Sequence, residues 1–493
     1  MRLLPNLCII LPILAGVGLL VWNPESRRVR QWYVMSAVLL NSVLTFLSMA
    51  AAWRGGVDAT RSLLVSFGGN LSISLAIDGP SLVFGAIIAV LWPVTTLYSF
   101  EYMKHEGGEN RFFSFLTMSY GVVLGVAFAE DFLSLYLFYE LLTLATLPLV
   151  MHGMDRKARY AGKKYLIYSL SGAAFAFIGI VFLMHYGTTL NFTYGGVLDM
   201  NLVRGSENTL RDVFVLAFLG FGVKAAVFPL HGWLPDASVA PTPVSALLHA
   251  VAVVKSGVFA ILRLIYYGFG TEFLRGSFAQ SIVMCFTIAT IVYGSAKALQ
   301  IPHFKRRLAY STVSNLSYIL FSFTLMTPAG MTGGLTHMVF HAVIKITLFF
   351  CAGAVLYKTE KEYVYDLEGF GRAMPVTFAA FTAAAFALTG VPPLGGFIGK
   401  WCIASAAVEA ATPLAYVGIG ALILSTLLTM LYMMTVVIRA YFPVGEGHDL
   451  SEVHDPNRNM TGPLALLTAG GVVLALCSAP LLDFLREVSA GLL

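Results

Sequence analysis

The sequence predicts an all-α integral membrane protein of about fourteen transmembrane helices, and three observations carry that prediction. Of its 493 residues, 58% are hydrophobic and 12% are charged, which is about half the charged share of an ordinary soluble domain. The mean hydropathy is +0.78, and apolar runs of about 20 residues, each able to cross roughly 30 Å of hydrocarbon, recur from end to end. Several ionisable residues lie inside those runs rather than between them.

The candidate helices, in order, are 4–22, 31–53, 80–100, 112–129, 131–151, 162–186, 211–228, 242–268, 279–298, 308–327, 334–356, 375–410, 413–439 and 463–485. No stretch between them reads as a soluble domain, so the chain 1–493 is expected to be a single polytopic membrane domain. The first window is expected to be a retained span rather than a signal peptide. The next apolar window follows after only a short basic link, with no small-x-small cleavage site. The segment 68–79 alternates apolar and polar residues (Leu71, Ile73, Leu75, Ile77), which predicts a short strand or hairpin outside the membrane. The window 375–410 is too long for one straight span and contains Thr389-Gly-Val-Pro-Pro-Leu-Gly-Gly396, which is expected to break it.

Composition also narrows the function. Cys8, Cys285, Cys351, Cys402 and Cys477 are scattered singly in apolar segments. None forms a CxxC pair, so they read as small buried hydrophobes rather than metal or cluster ligands. The net charge of +5 does not indicate nucleic-acid binding, because the basic residues sit in short loops between spans. Lys and Arg distribution sets the expected orientation. Loops after odd-numbered windows hold Arg27, Arg28, Arg30, Lys104, Arg111, Arg156, Lys157, Arg159, Lys163, Lys164, Lys305, Arg306, Arg307, Lys358, Lys361, Arg372, Arg439 and Arg458. The other face holds only Arg2, Arg54, Arg61, Arg204, Arg211, Arg275 and Arg486. The positive-inside rule places the first set in the cytoplasm and both termini on the non-cytoplasmic side.

The ionisable residues inside the windows are the candidate site. Glu140 sits in Leu135-Tyr-Leu-Phe-Tyr-Glu140 and Lys224 in Leu219-Gly-Phe-Gly-Val-Lys224. His249 and Lys255 share one window, as do His337, His341 and Lys345, and Lys400 follows Gly395-Gly-Phe-Ile-Gly399. A charge at the bilayer centre costs about 2.5–3.5 kcal/mol on insertion scales, so four lysines and a glutamate cost on the order of 10 kcal/mol unless paired or hydrated. That is comparable to the whole stability of many domains. A structural Glu140–Lys224 ion pair explains part of the set, but it leaves Lys255, Lys345 and Lys400 without carboxylate partners in their windows. An excess of buried bases suits groups whose proton affinity is adjustable: desolvation and neighbouring cations lower it, and an approaching carboxylate raises it. His337, His341 and Lys345 are spaced i, i+4, i+8 and so share one helix face, which suggests a hydrated proton path.

Helix breaks flank these groups. Lys224 precedes Pro229-Leu-His-Gly-Trp-Leu-Pro-Asp-Ala-Ser-Val-Ala-Pro-Thr-Pro243, with Pro235 and Pro241 inside it, and Lys400 follows Pro392 and Pro393. Broken backbone is tolerated in membranes only where protein or water surrounds it. Breaks at corresponding positions of two halves point to a transport site. Helices 4–8 and 9–13 make two five-helix units, each broken in its fourth helix. Because five is odd, the second unit enters from the opposite face, and the repeat is inverted. The expected organisation is 1–110 for helices 1–3, 111–270 for the first repeat, 271–440 for the second, and 441–493 for the C-terminal helix.

With these residues in view, the sequence resembles a known family. His231-Gly-Trp-Leu-Pro-Asp-Ala, Ala240-Pro-Thr-Pro-Val-Ser-Ala-Leu-Leu-His249 and Val254-Lys255-Ser-Gly-Val are similar to the antiporter-like membrane subunits of respiratory complex I, membrane-bound hydrogenases and Mrp-type cation/proton antiporters. Tyr139-Glu140-Leu, Arg306-Arg-Leu-Ala-Tyr-Ser-Thr-Val-Ser-Asn315 and Pro392-Pro-Leu-Gly-Gly-Phe-Ile-Gly-Lys400 add to the match, over roughly residues 80–440. The resemblance implies that Glu140 modulates Lys224, that Lys255 with His249 bridges to the second half, and that His337, His341 and Lys345 extend the line. Lys400 would be the terminal group near the exit, as in the lysine-type members. The chain ends at Leu493, like the shorter members without a long C-terminal extension, and it carries Ser238 where many members have Met or His.

The resemblance implies a proton-translocating subunit of a multisubunit complex in the inner membrane, with no cofactor and no catalytic site of its own. Its expected partners are the lipid bilayer and other membrane subunits, among them homologous antiporter-like ones. Redox and quinone chemistry would reside in other subunits. The alternatives are a subunit of an Mrp-type Na+/H+ antiporter without redox partners, and a structural subunit whose ion pairs are static.

Overall fold

Residues 2–68, 71–443 and 450–492 are described by the structure, a computed structural model. The chain begins with α1 (Leu4–Trp22) and α2 (Arg27–Gly55). A hairpin of β1 (Ser62–Gly68) and β2 (Leu71–Leu75) precedes α3 (Gly79–Glu106), α4 (Glu109–Phe128), α5 (Phe132–Val150) and α6 (Arg156–Tyr186). The one-turn α7 (Met200–Val203) leads to α8 (Glu207–Gly222), the short α9 (Trp233–Ala237), α10 (Thr242–Ala250) and α11 (Val253–Arg263), which runs into a π-helical turn over Leu264–Phe269. After α12 (Thr271–Leu274) come α13 (Phe278–Gln300), α14 (Phe304–Thr324), α15 (Pro328–Thr359) and the short α16 (Phe370–Ala373). The chain continues through α17 (Pro375–Thr389), α18 (Gly395–Ala410), α19 (Pro413–Tyr441), α20 (Arg458–Leu476) and α21 (Ala479–Ser489).

Local chemistry explains most boundaries. Asp78, Asp131, Asp155, Ser277, Thr327 and Thr412 each accept a hydrogen bond from the free backbone N–H of the third residue after them, starting α3, α5, α6, α13, α15 and α19. Such side-chain caps satisfy donors that have no partner within the helix. α1 ends at Asn23, which takes the left-handed conformation at φ 45°, a geometry Asn tolerates better than most residues.

Among the described residues, eleven helical stretches are long and apolar enough to cross a bilayer, and the chain is a multi-pass membrane protein. Burial separates inner from outer helices. The stretch Thr242–Phe269 is 100% buried over its most apolar window, Pro328–Thr359 is 89% and Glu109–Phe128 is 83%. Leu4–Trp22, Arg27–Gly55, Arg156–Tyr186 and Pro413–Tyr441 are each 39% buried, and their apolar outer faces suit lipid. α10, α11 and α15 therefore form the centre of the bundle, and they carry five of the candidate ionisable residues.

Four segments differ from the sequence reading. The window 242–268 is interrupted at Val251 and Ala252, between α10 and α11, and no Pro or Gly marks the place. The window 211–228 is helical only to Gly222, after which the chain turns through 223–232. The window 463–485 is two helices, with Pro480 in the first turn of the second, a position that suits a residue lacking N–H. The hairpin has an earlier partner strand than expected. β1 pairs antiparallel with β2, Ser62 opposite Leu75, and the part of the expected segment at 69 and 70 lies outside the described residues.

One buried contact was not anticipated. Arg263, 0% exposed, makes a bidentate pair with Asp78 at 2.5 and 2.6 Å and a 3.0 Å bond to Ser81 Oγ. Its guanidinium also lies 4.4 Å from the Phe192 ring centroid and 4.6 Å from that of Tyr267. The pair ties the start of α3 to the end of α11. Removing one partner of a buried ion pair strands the other, at about 3–5 kcal/mol. Asp78→Asn should therefore lower the thermal unfolding temperature in detergent markedly. Adding Arg263→Gln should recover much of the loss, and no recovery would mean that the charge is not what Asp78 compensates.

Candidate functional site

The buried charges fall into two groups. In the first, α8 ends at Gly222 and Lys224 lies in the turn that follows. Its ammonium donates to the Tyr139 backbone carbonyl, lies 3.5 Å from Glu140 Oε1, and sits 3.4 Å from the Tyr139 ring centroid. Lys224 is fully buried, while the Glu140 side chain is 22% exposed, so Glu140 faces the outside of the bundle. The turn keeps its backbone satisfied: Trp233 Nε1 donates to the Val223 carbonyl at 2.7 Å, and Phe228 N donates to Thr290 Oγ1 at 3.0 Å.

The second group lies in the central helices. Lys255 Nζ donates at 2.8 Å to the Ala250 carbonyl, at the end of α10, and lies 3.2 Å from His341 Nδ1. The carbonyl that the break at Val251 and Ala252 frees at the end of α10 is thus met by a lysine five residues further along the chain. The ring centroids of His341 and His337 are 5.9 Å apart, and His337 Nε2 lies 3.1 Å from Asn315 Oδ1. His337 packs against Gly399, the residue before Lys400. Lys400 Nζ donates at 3.0 Å to both the Leu388 and Thr389 carbonyls and at 3.1 Å to Thr426 Oγ1. Those two carbonyls belong to the end of α17, where partial negative charge favours a cation.

Two groups branch from this line. Lys345 donates to the Leu308 carbonyl at 3.1 Å and to Ser311 Oγ. His249 stacks on Phe349 at 4.7 Å. The structure therefore gathers Lys255, His341, His337 and Lys400 into one sequence of neighbours, with Lys345 and His249 beside it. Lys224 and Glu140 stand apart, joined to the rest through backbone packing. A Cβ on Gly257, two residues after Lys255, would lie 2.6 Å from Ala225 N, so only glycine lets α11 come this close to the Lys224 turn.

Among the described residues, both ring nitrogens of His249, Nδ1 of His337 and Nε2 of His341 have no protein partner. Buried polar atoms normally find a partner, and water supplies it where protein does not. These four atoms mark where water fits best along the line. No group of three or more His, Cys, Asp or Glu among the described residues is placed to hold a metal ion.

The prolines divide by position. Pro229 lies in the turn after α8, Pro235 in α9, and Pro241 and Pro243 at the start of α10. Pro392 and Pro393 lie between α17 and α18. A Cβ on Gly396 would sit 1.7 Å from the Ala387 carbonyl oxygen, so the two half-helices meet at van der Waals distance only because residue 396 has no side chain. Sequence reasoning missed Lys305, which is 7% exposed and donates to the Ala240 carbonyl at 2.8 Å. It reads as a loop cation because it stands in Lys305-Arg-Arg307, and its burial follows from the packing of α14 against the start of α10. It also missed the Ser, Thr and Tyr hydroxyls around Lys345 and Lys400, which their helical spacing could have revealed.

His337 depends on a glycine. A Cβ at Gly399 would lie 2.7 Å from His337 Nδ1 and 3.1 Å from its Cβ. Gly399→Val should push the imidazole away from Asn315 without removing any titratable group. The expected outcome is a changed His337 signal in 15N-histidine NMR together with slower proton transport, and an unchanged signal would show that the site has slack.

Comparisons with known proteins place this geometry. Residues 129–429 match the family described as NADH:quinone oxidoreductase/Mrp antiporter, TM, and residues 65–113 match NADH-Ubiquinone oxidoreductase (complex I), chain 5 N-terminus. The chain is 30% identical to NADH-quinone oxidoreductase subunit N of Desulforudis audaxviator over 490 residues, covering 96% of this chain and 95% of that protein. It is 32% identical to a Na(+)/H(+) antiporter subunit of Alkalihalophilus pseudofirmus over 410 residues, 79% of this chain and 49% of that one. Its fold matches a chain of the membrane-bound sulfane sulfur reductase, an archaeal respiratory membrane complex, with a TM-score of 0.85 at 21% identity, covering 99% of this chain and 97% of that one. The chain belongs to the NADH:quinone oxidoreductase/Mrp antiporter transmembrane family.

Proposed function

We propose that this antiporter-like subunit moves protons through the membrane along Glu140, Lys224, Lys255, His341, His337 and Lys400, with His249 and Lys345 as side sites. The observation that carries the reading is the 3.2 Å contact between Lys255 Nζ and His341 Nδ1. An amine and an imidazole at that distance can share one proton, and among the described residues neither is ion-paired with a carboxylate. Glu140, at the outer face of the bundle, is placed to raise the proton affinity of Lys224 when the two approach. Lys400, held by carbonyls at a helix end, is the terminal site.

In this reading the chain works with other membrane subunits, homologous antiporter-like ones among them, in the inner membrane, and any redox cofactors belong to those partners. Counting each broken pair as one span (α10 with α11, α17 with α18) supports fourteen spans. Lysine-bearing breaks after α8 and between α17 and α18 support inverted repeats over 111–270 and 271–440. The Lys and Arg distribution supports both termini on the non-cytoplasmic side. A second reading, a chain that exchanges Na+ for H+, draws on the similarity to the Na(+)/H(+) antiporter protein of Alkalihalophilus pseudofirmus.

The test uses the intact complex reconstituted in vesicles with a pH-sensitive dye inside. Lys255→Met, Lys224→Ala and Glu140→Gln should each slow proton transport by about tenfold or more, equivalent to at least about 1.4 kcal/mol on the barrier, while assembly stays normal. Transport at the wild-type rate in all three would overturn the reading in favour of static ion pairs. Stimulation by Na+ under a proton gradient would favour the second reading over the first.

A further inference from the structure

Two stripes of polar side chains, five of them hydroxyls, face each other between Lys345 and Lys400. On α14, Ser311, Asn315 and Tyr318 follow at i, i+4 and i+7; on α19, Ser425, Thr429 and Tyr432 do the same. That spacing puts each set on one helix face. All six are 0% exposed. Apolar residues would fill this space at lower cost, because a buried hydroxyl is unfavourable unless it is bonded. Here Tyr318 bonds Ser425 and Tyr432 bonds Thr429, while Ser311 and Thr429 donate to carbonyls of their own helices.

Hydrogen bonds mark out a path between the two lysines. Lys345 Nζ donates to Ser311 Oγ. The Tyr432 hydroxyl donates to Thr429 Oγ1 at 3.1 Å. The Tyr318 hydroxyl, on the facing stripe, shares a 2.5 Å bond with Ser425, the residue before Thr426. Thr426 Oγ1 accepts from Lys400 Nζ at 3.1 Å. His337 and His341 take no part in the path.

We propose that Ser311, Tyr432, Thr429, Tyr318 and Thr426 form a second proton route, joining Lys345 to Lys400 in parallel with the histidines. The proposal rests on the reading of this chain as a proton carrier. In one passage the Lys345 ammonium gives a proton to Ser311 Oγ, and each hydroxyl in turn hands its own proton to the next oxygen. Thr426 passes the last one to the neutral Lys400 amine. Each hydroxyl ends with one proton and the total charge is unchanged. The Ser311 and Thr429 hydroxyls presently donate to their own helices, at the Leu308 and Ser425 carbonyls at 2.8 and 2.7 Å. Their rotation toward the next oxygen starts the transfer and rotation back resets it.

Parallel routes have a signature that a structural role lacks. In the reconstituted complex, His337→Ala alone and Tyr432→Phe alone should each slow proton transport only in part, because the other route carries the rest. The two together should lower transport by about tenfold beyond the product of the single effects. The flux that survives in His337→Ala should also show a larger solvent deuterium isotope effect than wild type, because it must cross the hydroxyls. Additive effects and an unchanged isotope effect would overturn the proposal. Should Tyr432→Phe fail to assemble, Ser311→Ala, which removes one oxygen, replaces it in the same cycle. Lys255→Met separates the two levels of argument. If it leaves transport intact, the proton-carrier reading itself fails; if it stops transport but the double variant is only additive, the hydroxyl route alone fails.

Discussion

The structure depends on one constraint: an ammonium group removed from water must be given oxygen or nitrogen partners by the protein itself. Lys224, Lys255 and Lys345 are fully buried and Lys400 nearly so. Among the described residues, only Lys224 of these has a carboxylate within salt-bridge distance, and at 3.5 Å it is loosely held. Backbone carbonyls supply the rest, two of the lysines drawing on carbonyls at the ends of interrupted helices. A carbonyl solvates a cation without fixing its charge as an ion pair would. The same bonds remain tolerable when the amine is neutral, which an ion pair does not allow.

Helix breaks and buried lysines therefore explain each other. An interrupted helix inside a membrane leaves carbonyls that must be met, and a lysine in the core needs carbonyls. The Ala250 and Leu388–Thr389 sites join the two needs. Close approach makes this geometrically feasible, since Gly257, Gly396 and Gly399 stand where any Cβ would collide with backbone or with His337. The Arg263–Asp78 pair is the contrasting case. Bidentate bonds and three aromatic rings hold that charge firmly, as suits a structural tie between α3 and α11.

Polar groups in the core follow a gradient of commitment. The paired groups at Asp78 and Arg263 are locked, and the lysines are held by carbonyls. The histidines of α15 and His249 retain ring nitrogens without protein partners. The hydroxyls of α14 and α19 are satisfied by bonds that can be exchanged by rotation alone. Readiness to exchange partners thus increases from the Asp78–Arg263 pair, through the lysines, to the histidines and hydroxyls.

Much of this was legible in the chain as written. Hydropathy located the spans because bilayer thickness imposes a length on any apolar helix, and Glu140, Lys224, His337, His341, Lys345 and Lys400 stood out because charge in such a run is costly. Gly and Pro marked the break between α17 and α18, whose cause is local. The break between α10 and α11 carries no Gly or Pro, and the carbonyl it frees at Ala250 is met by Lys255, five residues on. The burial of Lys305, the Asp78–Arg263 pair across 185 positions and the meeting of the α14 and α19 hydroxyls, by contrast, join residues distant along the chain. Sequence determines what each segment needs, whether a lipid face, a cap or a partner for a charge. Only tertiary packing decides which distant group meets that need, because the meeting depends on how whole helices approach one another.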